Sequence, residues 1–348
     1  MSTDTIHTSK PQNFISKKYL VLSISLSVAT MAGVIWYTYT PGVLDHLALK
    51  RLPGLGIAVV VSFLRVWFSA AKIRFLSEKT IGWFASFRIM LAWDFTSAVT
   101  PSTIGGAPMA TYAMTKEGLK LGSATAIILY GVLLDQIWFA TAIPILLIAG
   151  AFYEVVPPEI GLVGEASMVL LYIGLLSYAS LLAYGVLVNP AAIKKVVLVI
   201  FRLPFLRKYK DKVAEEAENL EVYAHQLKEK PPSFLLKAFF LSTMSWVCRI
   251  ALATIVVLSL LPAPEVLSVL RSLAMNLAFL VVPTPGGSGG VEGLFVLFQG
   301  PLIARQSFIG LAVFLWRIIS YYITIALGMM ATTWYINRSV VENSNSDD

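Results

Sequence analysis

Pro283-Thr284-Pro285-Gly286-Gly287-Ser288-Gly289-Gly290-Val291-Glu292 sets two prolines, four glycines and a carboxylate between two strongly apolar runs, residues 266–282 and 291–298. A glycine-rich turn leading into a helix start offers unpaired N–H groups and a partial positive charge, which suits an anionic head group such as a phosphate. Pro101-Ser102-Thr103-Ile104-Gly105-Gly106-Ala107-Pro108 repeats the theme earlier in the chain. The binding candidates are therefore Pro101, Ser102, Gly105 and Gly106 in the first break, and Pro285, Gly286, Gly287, Gly289 and Gly290 in the second. Close helix packing is the other use of such glycines, but packing alone does not ask for proline on both sides. No GK[ST] and no complete GxGxxG occurs, which excludes the common nucleotide loops.

Charged residues inside apolar runs form the second set: Arg65, Asp94, Asp135, Arg249, Arg271, Glu292 and Arg317. At the centre of a membrane helix each costs roughly 2.5–3.5 kcal/mol and needs a partner or a wet cavity. Arg317 and Arg271 are candidates to neutralise a phosphate, with pairing to Glu292 as the alternative for Arg317. Glu292 and Asp135 are candidates for charge balance or proton coupling. Glu292 could equally cap a half-helix, and Asp135 could be a packed polar contact. For Arg65 and Arg249, snorkelling or a structural ion pair is the competing reading.

Enzyme chemistry finds little footing, and no enzyme is expected. The three histidines, His7, His46 and His225, are scattered, and the single Cys248 excludes an internal disulfide or a CxxC pair. No metal, no cofactor and no DDxxD or DxD motif is expected.

The elements that position these groups follow from composition. The chain has 348 residues, 57% hydrophobic and 14% charged, where soluble domains run near a quarter charged. Stretches such as residues 19–39 are long enough to cross a hydrocarbon core about 30 Å thick. The fold class expected is an all-α polytopic membrane protein with about six transmembrane helices and two re-entrant broken hairpins, residues 81–118 and 266–300. Residues 1–18 form an N-terminal tail, 19–336 one transmembrane domain and 337–348 a C-terminal tail. The run at 19–39 reads as an uncleaved first span rather than a signal peptide.

Loop charge sets orientation. The loop after residue 151 holds Glu154, Glu159 and Glu165 and no lysine or arginine, whereas residues 189–232 hold Lys194, Lys195, Arg202, Arg207 and more. The basic loop and both tails are then cytoplasmic, and the acidic loop lies outside. Residues 193–213 mix apolar and basic side chains, as an interfacial helix on anionic lipid or a solvated loop would. On this orientation the first hairpin enters from the cytoplasm and the second from outside, the arrangement of an inverted repeat. The net charge of +7 is accounted for by the cytoplasmic loops, and nucleic acid is not expected as a partner.

Both broken stretches, with Thr96, Tyr112 and Gly118 around the first and Arg317 and Gly328 after the second, resemble the lysylphosphatidylglycerol synthase transmembrane region, a flippase-like family of integral membrane proteins. The resemblance runs from about residue 52 to 333. It implies movement of a lipid between leaflets; in the large bacterial members this region precedes an aminoacyl-transferase domain. With no such domain before Asp348, lysyl transfer is not expected of this chain. Ala107 stands where some members have an acidic residue.

Together these readings point to a plasma-membrane flippase for a phospholipid or polyprenyl-phosphate-linked lipid with an anionic or zwitterionic head group. The runner-up is a lipid-binding accessory subunit that transports nothing. A lipid-modifying enzyme and a second copy of the chain are the alternative protein partners.

Overall fold

The computed structural model describes residues 17–38, 51, 53–100, 106–158, 161–189, 219, 221–227, 229–280, 282 and 284–344. Pro101, Ser102, Gly105, Pro283 and the basic segment 193–213 lie outside the described residues, as do the outermost parts of both tails. The described residues are helices joined by short turns, with no strand among them. In the hydrocarbon a helix satisfies its own backbone groups, so apolar runs of this length become helices whatever their finer propensities.

In order, the helices are α1 (Lys17–Thr38), α2 (Pro53–Leu76), α3 (Trp83–Val99), α4 (Gly106–Lys116), α5 (Leu121–Ala149) and α6 (Gly161–Ala183). There follow α7 (Pro232–Leu260), α8 (Glu265–Phe279), α9 (Gly290–Gln299), α10 (Ser307–Arg317) and α11 (Ile323–Ser344). A π turn, Ile318–Tyr322, joins α10 to α11 into one long rod. Four stretches are long and apolar enough to span a bilayer: Pro53–Leu76, Leu121–Ala149, Pro232–Leu260 and Ser307–Arg338. Ile24–Thr38 and Val169–Ala183 are shorter apolar helices.

The expected breaks fall where proline and glycine put them. α3 ends at Val99 and α4 starts at Gly106; α8 ends at Phe279 and α9 starts at Gly290. At 11 and 10 residues, α4 and α9 are each only about 15 Å long, half a bilayer. Each packs back against the helix before it.

α2 and α7 form the central pair and run antiparallel. Ser69 Oγ meets Ser245 Oγ at 2.6 Å, Lys72 Nζ meets Ser242 Oγ at 3.3 Å, and near the other end Gly54 abuts Ser259. α11 lies along α3 at a crossing so close that a Cβ on Gly328 would strike the Leu91 carbonyl and come within 2.6 Å of Phe95 Cβ. The outward faces carry large apolar side chains: Leu170 and Leu181 on α6 are 72% and 74% exposed, and Ile148 on α5 is 65%. Apolar residues outside and ion pairs inside invert the soluble pattern, as lipid surroundings require.

Candidate functional site

Arg65 is the thirteenth residue of the 24-residue α2, about 18 Å from the helix start and thus near mid-depth. Its Nη2 donates to Asp94 Oδ2 on α3 at 2.8 Å. Two turns further along α2, Lys72 Nζ donates to Asp135 Oδ1 on α5, also at 2.8 Å. The same Asp135 oxygen accepts from Ser242 Oγ and, at 3.1 Å, from Trp246 Nε1, both on α7. The sequence marks Asp135 as a charge inside an apolar run and shows no partner for it. Lys72 reads in sequence as the flank of a span, and only the α2–α5 packing reveals it as the counter-ion.

The third pair lies at the second break. Arg317 Nε donates to Glu292 Oε1 at 2.8 Å, with the two side chains 3% and 0% exposed. Ser27 Oγ on α1 donates to the same oxygen, and Tyr322 OH donates to Ser27 Oγ at 2.9 Å. The other carboxylate oxygen, Oε2, accepts the Gly289 N–H at 2.9 Å. Glu292 therefore both caps α9 and anchors Arg317. It brings a negative charge to the half-helix start proposed for an anion. Arg317 lies over the Tyr321 ring at 4.2 Å, and its Nη2 has no hydrogen-bond partner among the described residues although it is buried.

The turn itself is shaped by glycine. Gly286 has φ +59°, and a Cβ there would lie 2.8 Å from the Ala98 carbonyl oxygen of α3 and strike the Tyr321 hydroxyl. The turn closes through Gly287 N–H to Thr284 O at 2.9 Å, Ser288 N–H to Pro285 O at 3.1 Å, and Thr284 Oγ1 to Ser288 O at 2.9 Å. Pro285 and Gly287 are buried. Gly289 and Gly290 lie against Leu26 of α1 and Val282 respectively. In the first break Gly106 lies tight on Trp93 and Ser97 of α3.

Arg271 stands apart from these pairs. Its Nε and Nη2 donate to the Glu154 carbonyl at 3.1 and 3.0 Å, and Nη1 to the Phe298 carbonyl at 3.3 Å. Phe298 lies six residues beyond Glu292, about 9 Å along α9, so Arg271 ties the far end of α9 to the loop after α5. Arg249, on α7, makes no hydrogen bond or ion pair among the described residues. Its guanidinium lies 5.3 Å from the Trp246 ring and 5.8 Å from the Phe279 ring. The described residues contain no group of three or more metal-ligating side chains.

Residues 20–328 match the family model described as the lysylphosphatidylglycerol synthase TM region, a span that holds every pair above. A UPF0104 membrane protein from Archaeoglobus fulgidus is 26% identical over 335 residues, covering 92% of this chain and 98% of that protein. No solved structure matches the chain. The chain belongs to the lysylphosphatidylglycerol synthase transmembrane-region family and is an all-α, multi-pass membrane protein related to lipid metabolism or transport.

Proposed function

We propose that this family member moves a lipid with an anionic or zwitterionic head group, a phospholipid or a polyprenyl-phosphate-linked lipid, between the leaflets of the plasma membrane. The observation that carries the reading is the set of three ion pairs, Arg65–Asp94, Lys72–Asp135 and Arg317–Glu292, between the helices of an apolar bundle, the last of them at the break between α8 and α9. A bundle that needed only to pack would do as well or better with apolar residues at these positions. A polar interior is what a head group needs to cross while its tails stay in lipid.

In this reading the head group pauses beside the α8–α9 turn. The unspent Arg317 Nη2 meets its phosphate, and Glu292 and Asp135 hold the balance of charge. The two broken pairs, α3/α4 and α8/α9, enter from opposite faces as an inverted repeat and gate in turn. The basic loop and both termini are cytoplasmic. No bond is made or broken, so the protein is a carrier and not an enzyme.

The test is a lipid-movement assay in proteoliposomes with phospholipid and polyprenyl-phosphate probes. Movement of at least one probe above protein-free vesicles is expected. Folded protein that moves none, yet co-purifies with lipid, would leave a lipid-binding accessory subunit as the better account.

A further inference from the structure

Among the described residues, and leaving aside Arg271, which donates to two carbonyls, the charged groups named above inside the bundle do not balance. Four cations, Arg65, Lys72, Arg249 and Arg317, face three carboxylates, Asp94, Asp135 and Glu292. Each carboxylate is already within 2.8 Å of one of the other three cations. Arg249 is the remainder. Among the described residues it has aromatic neighbours, Trp246 and Phe279, but no hydrogen-bond acceptor.

Its position follows from the α2–α7 register. The contacts Gly54/Ser259, Ser69/Ser245 and Lys72/Ser242 run antiparallel and set Arg249 opposite Arg65, near mid-depth on both helices. Arg65 and Arg317 are the cations, and Asp94 and Asp135 the carboxylates, close enough to act on it electrostatically. These four come from α2, α10, α3 and α5, and Phe279 comes from α8, so groups from five other helices act on Arg249. Its side chain is only partly buried among the described residues.

Arg249 also borders the second break. Its neighbour Phe279 packs on Gly287, and on the other side of the turn Tyr321, which lies over Arg317, packs on Gly286. The α8–α9 turn is thus flanked by two arginines, each with donors to spare.

From this geometry we infer that Arg249, with Arg317 Nη2 across the turn, is an anion site that takes a phosphate group. The inference rests on the transport reading above and deepens it, because it makes the phosphate the recognised part of the head group. A guanidinium suits such a site because its planar fork matches two phosphate oxygens. An arginine with no counter-ion in a membrane interior is costly, and a bound phosphate removes that cost. A lipid head group and free phosphate share this chemistry, and the experiment separates them.

The test uses the purified full chain in detergent, as wild type, Arg249→Gln and Arg249→Lys, each first shown to be monodisperse. Binding of phosphatidylglycerol and of diacylglycerol, which lacks phosphate, is measured by native mass spectrometry. Wild type is expected to prefer phosphatidylglycerol. Arg249→Gln should weaken that binding at least about tenfold, as loss of a charged hydrogen bond does, and leave diacylglycerol unchanged. Arg249→Lys should keep part of the preference. Without ligand, Arg249→Gln should melt higher than wild type, because it removes an unbalanced charge; a merely structural arginine would give a lower melting point. Displacement of phosphatidylglycerol by inorganic phosphate at equal concentration would assign the site to the free anion, and retention to the lipid; either supports the site. Equal binding of phosphatidylglycerol by wild type and Arg249→Gln would overturn it. If wild type moves lipid in vesicles but binds both lipids alike, the anion site fails while the transport reading stands.

Discussion

Glu292 and Arg317 lie 25 residues apart, yet Arg317 Nε meets Glu292 Oε1 at 2.8 Å with both side chains almost fully buried. The pair closes the α8–α9 turn against α10, and Ser27 brings α1 onto the same oxygen.

Breaking one side of this pair leaves a buried charge alone. Glu292→Gln or Arg317→Gln should each cost about 3–5 kcal/mol, and replacing both, as Glu292→Gln/Arg317→Gln, should cost less than the sum of the single changes. Thermal unfolding in detergent of the two single variants and the double variant checks this. Additive losses would show that the two groups do not interact.

The Lys72–Asp135 pair offers a cleaner separation of stability from function. Asp135→Leu alone strands the Lys72 ammonium and should cost about 3–5 kcal/mol, whereas Lys72→Met/Asp135→Leu should return close to wild-type stability. Lipid movement by that stable double variant then reads Asp135 directly. Loss of movement supports charge balance or proton coupling, and full movement makes the pair structural.

Two glycines carry backbone demands that a methyl group cannot meet. Gly286→Ala forces a side chain into φ +59° and against the Ala98 carbonyl, a cost of about 1–3 kcal/mol for the backbone alone. Gly328→Ala wedges α11 off α3 at Leu91. Gly174 on α6 has nothing within 4 Å of its would-be Cβ, so Gly174→Ala should be neutral or stabilising by up to about 1 kcal/mol. Melting temperatures should drop for the first two variants and hold or rise for the third.

One pH effect lies outside the four apolar spans. Tyr223 donates its hydroxyl to the Leu76 carbonyl at 2.8 Å. Burial, aided by the nearby Glu78 charge, pushes its phenol up to about 12, against about 10 in an unfolded chain. A raised folded value means that the contribution is complete below about pH 10 and is lost as pH rises through about 12. Wild type should therefore lose stability relative to Tyr223→Phe above about pH 10, with a constant difference between about pH 6 and 9. Melting curves of both proteins across that range check the sign.

The breaks are legible in the sequence because the bilayer punishes proline and glycine in a lipid-facing helix, so 283–290 has to be special. The need of Arg317 for a partner is legible for the same reason, with Glu292 as one choice. What the sequence hides is register. The reach of Ser27 to Glu292 across 265 residues, and the service of Lys72 to Asp135, depend on which turn of one helix meets which turn of another. Arg271, a phosphate candidate in the sequence, donates in the structure to the Glu154 and Phe298 carbonyls, acceptors that no sequence pattern announces. Arg249 reads in sequence as an arginine with a snorkelling or structural role, and only the pairing of the other three cations leaves it unbalanced.

The measurement that bears most directly on the central claim is lipid movement in proteoliposomes by wild type beside Glu292→Gln, Arg317→Gln and the Glu292→Gln/Arg317→Gln double variant, at equal amounts of folded protein. The account predicts movement by wild type and loss of most of it in all three, including the double variant, which loses less stability than the two single changes would sum to. Undiminished movement by the folded double variant would contradict a head-group path through the second break.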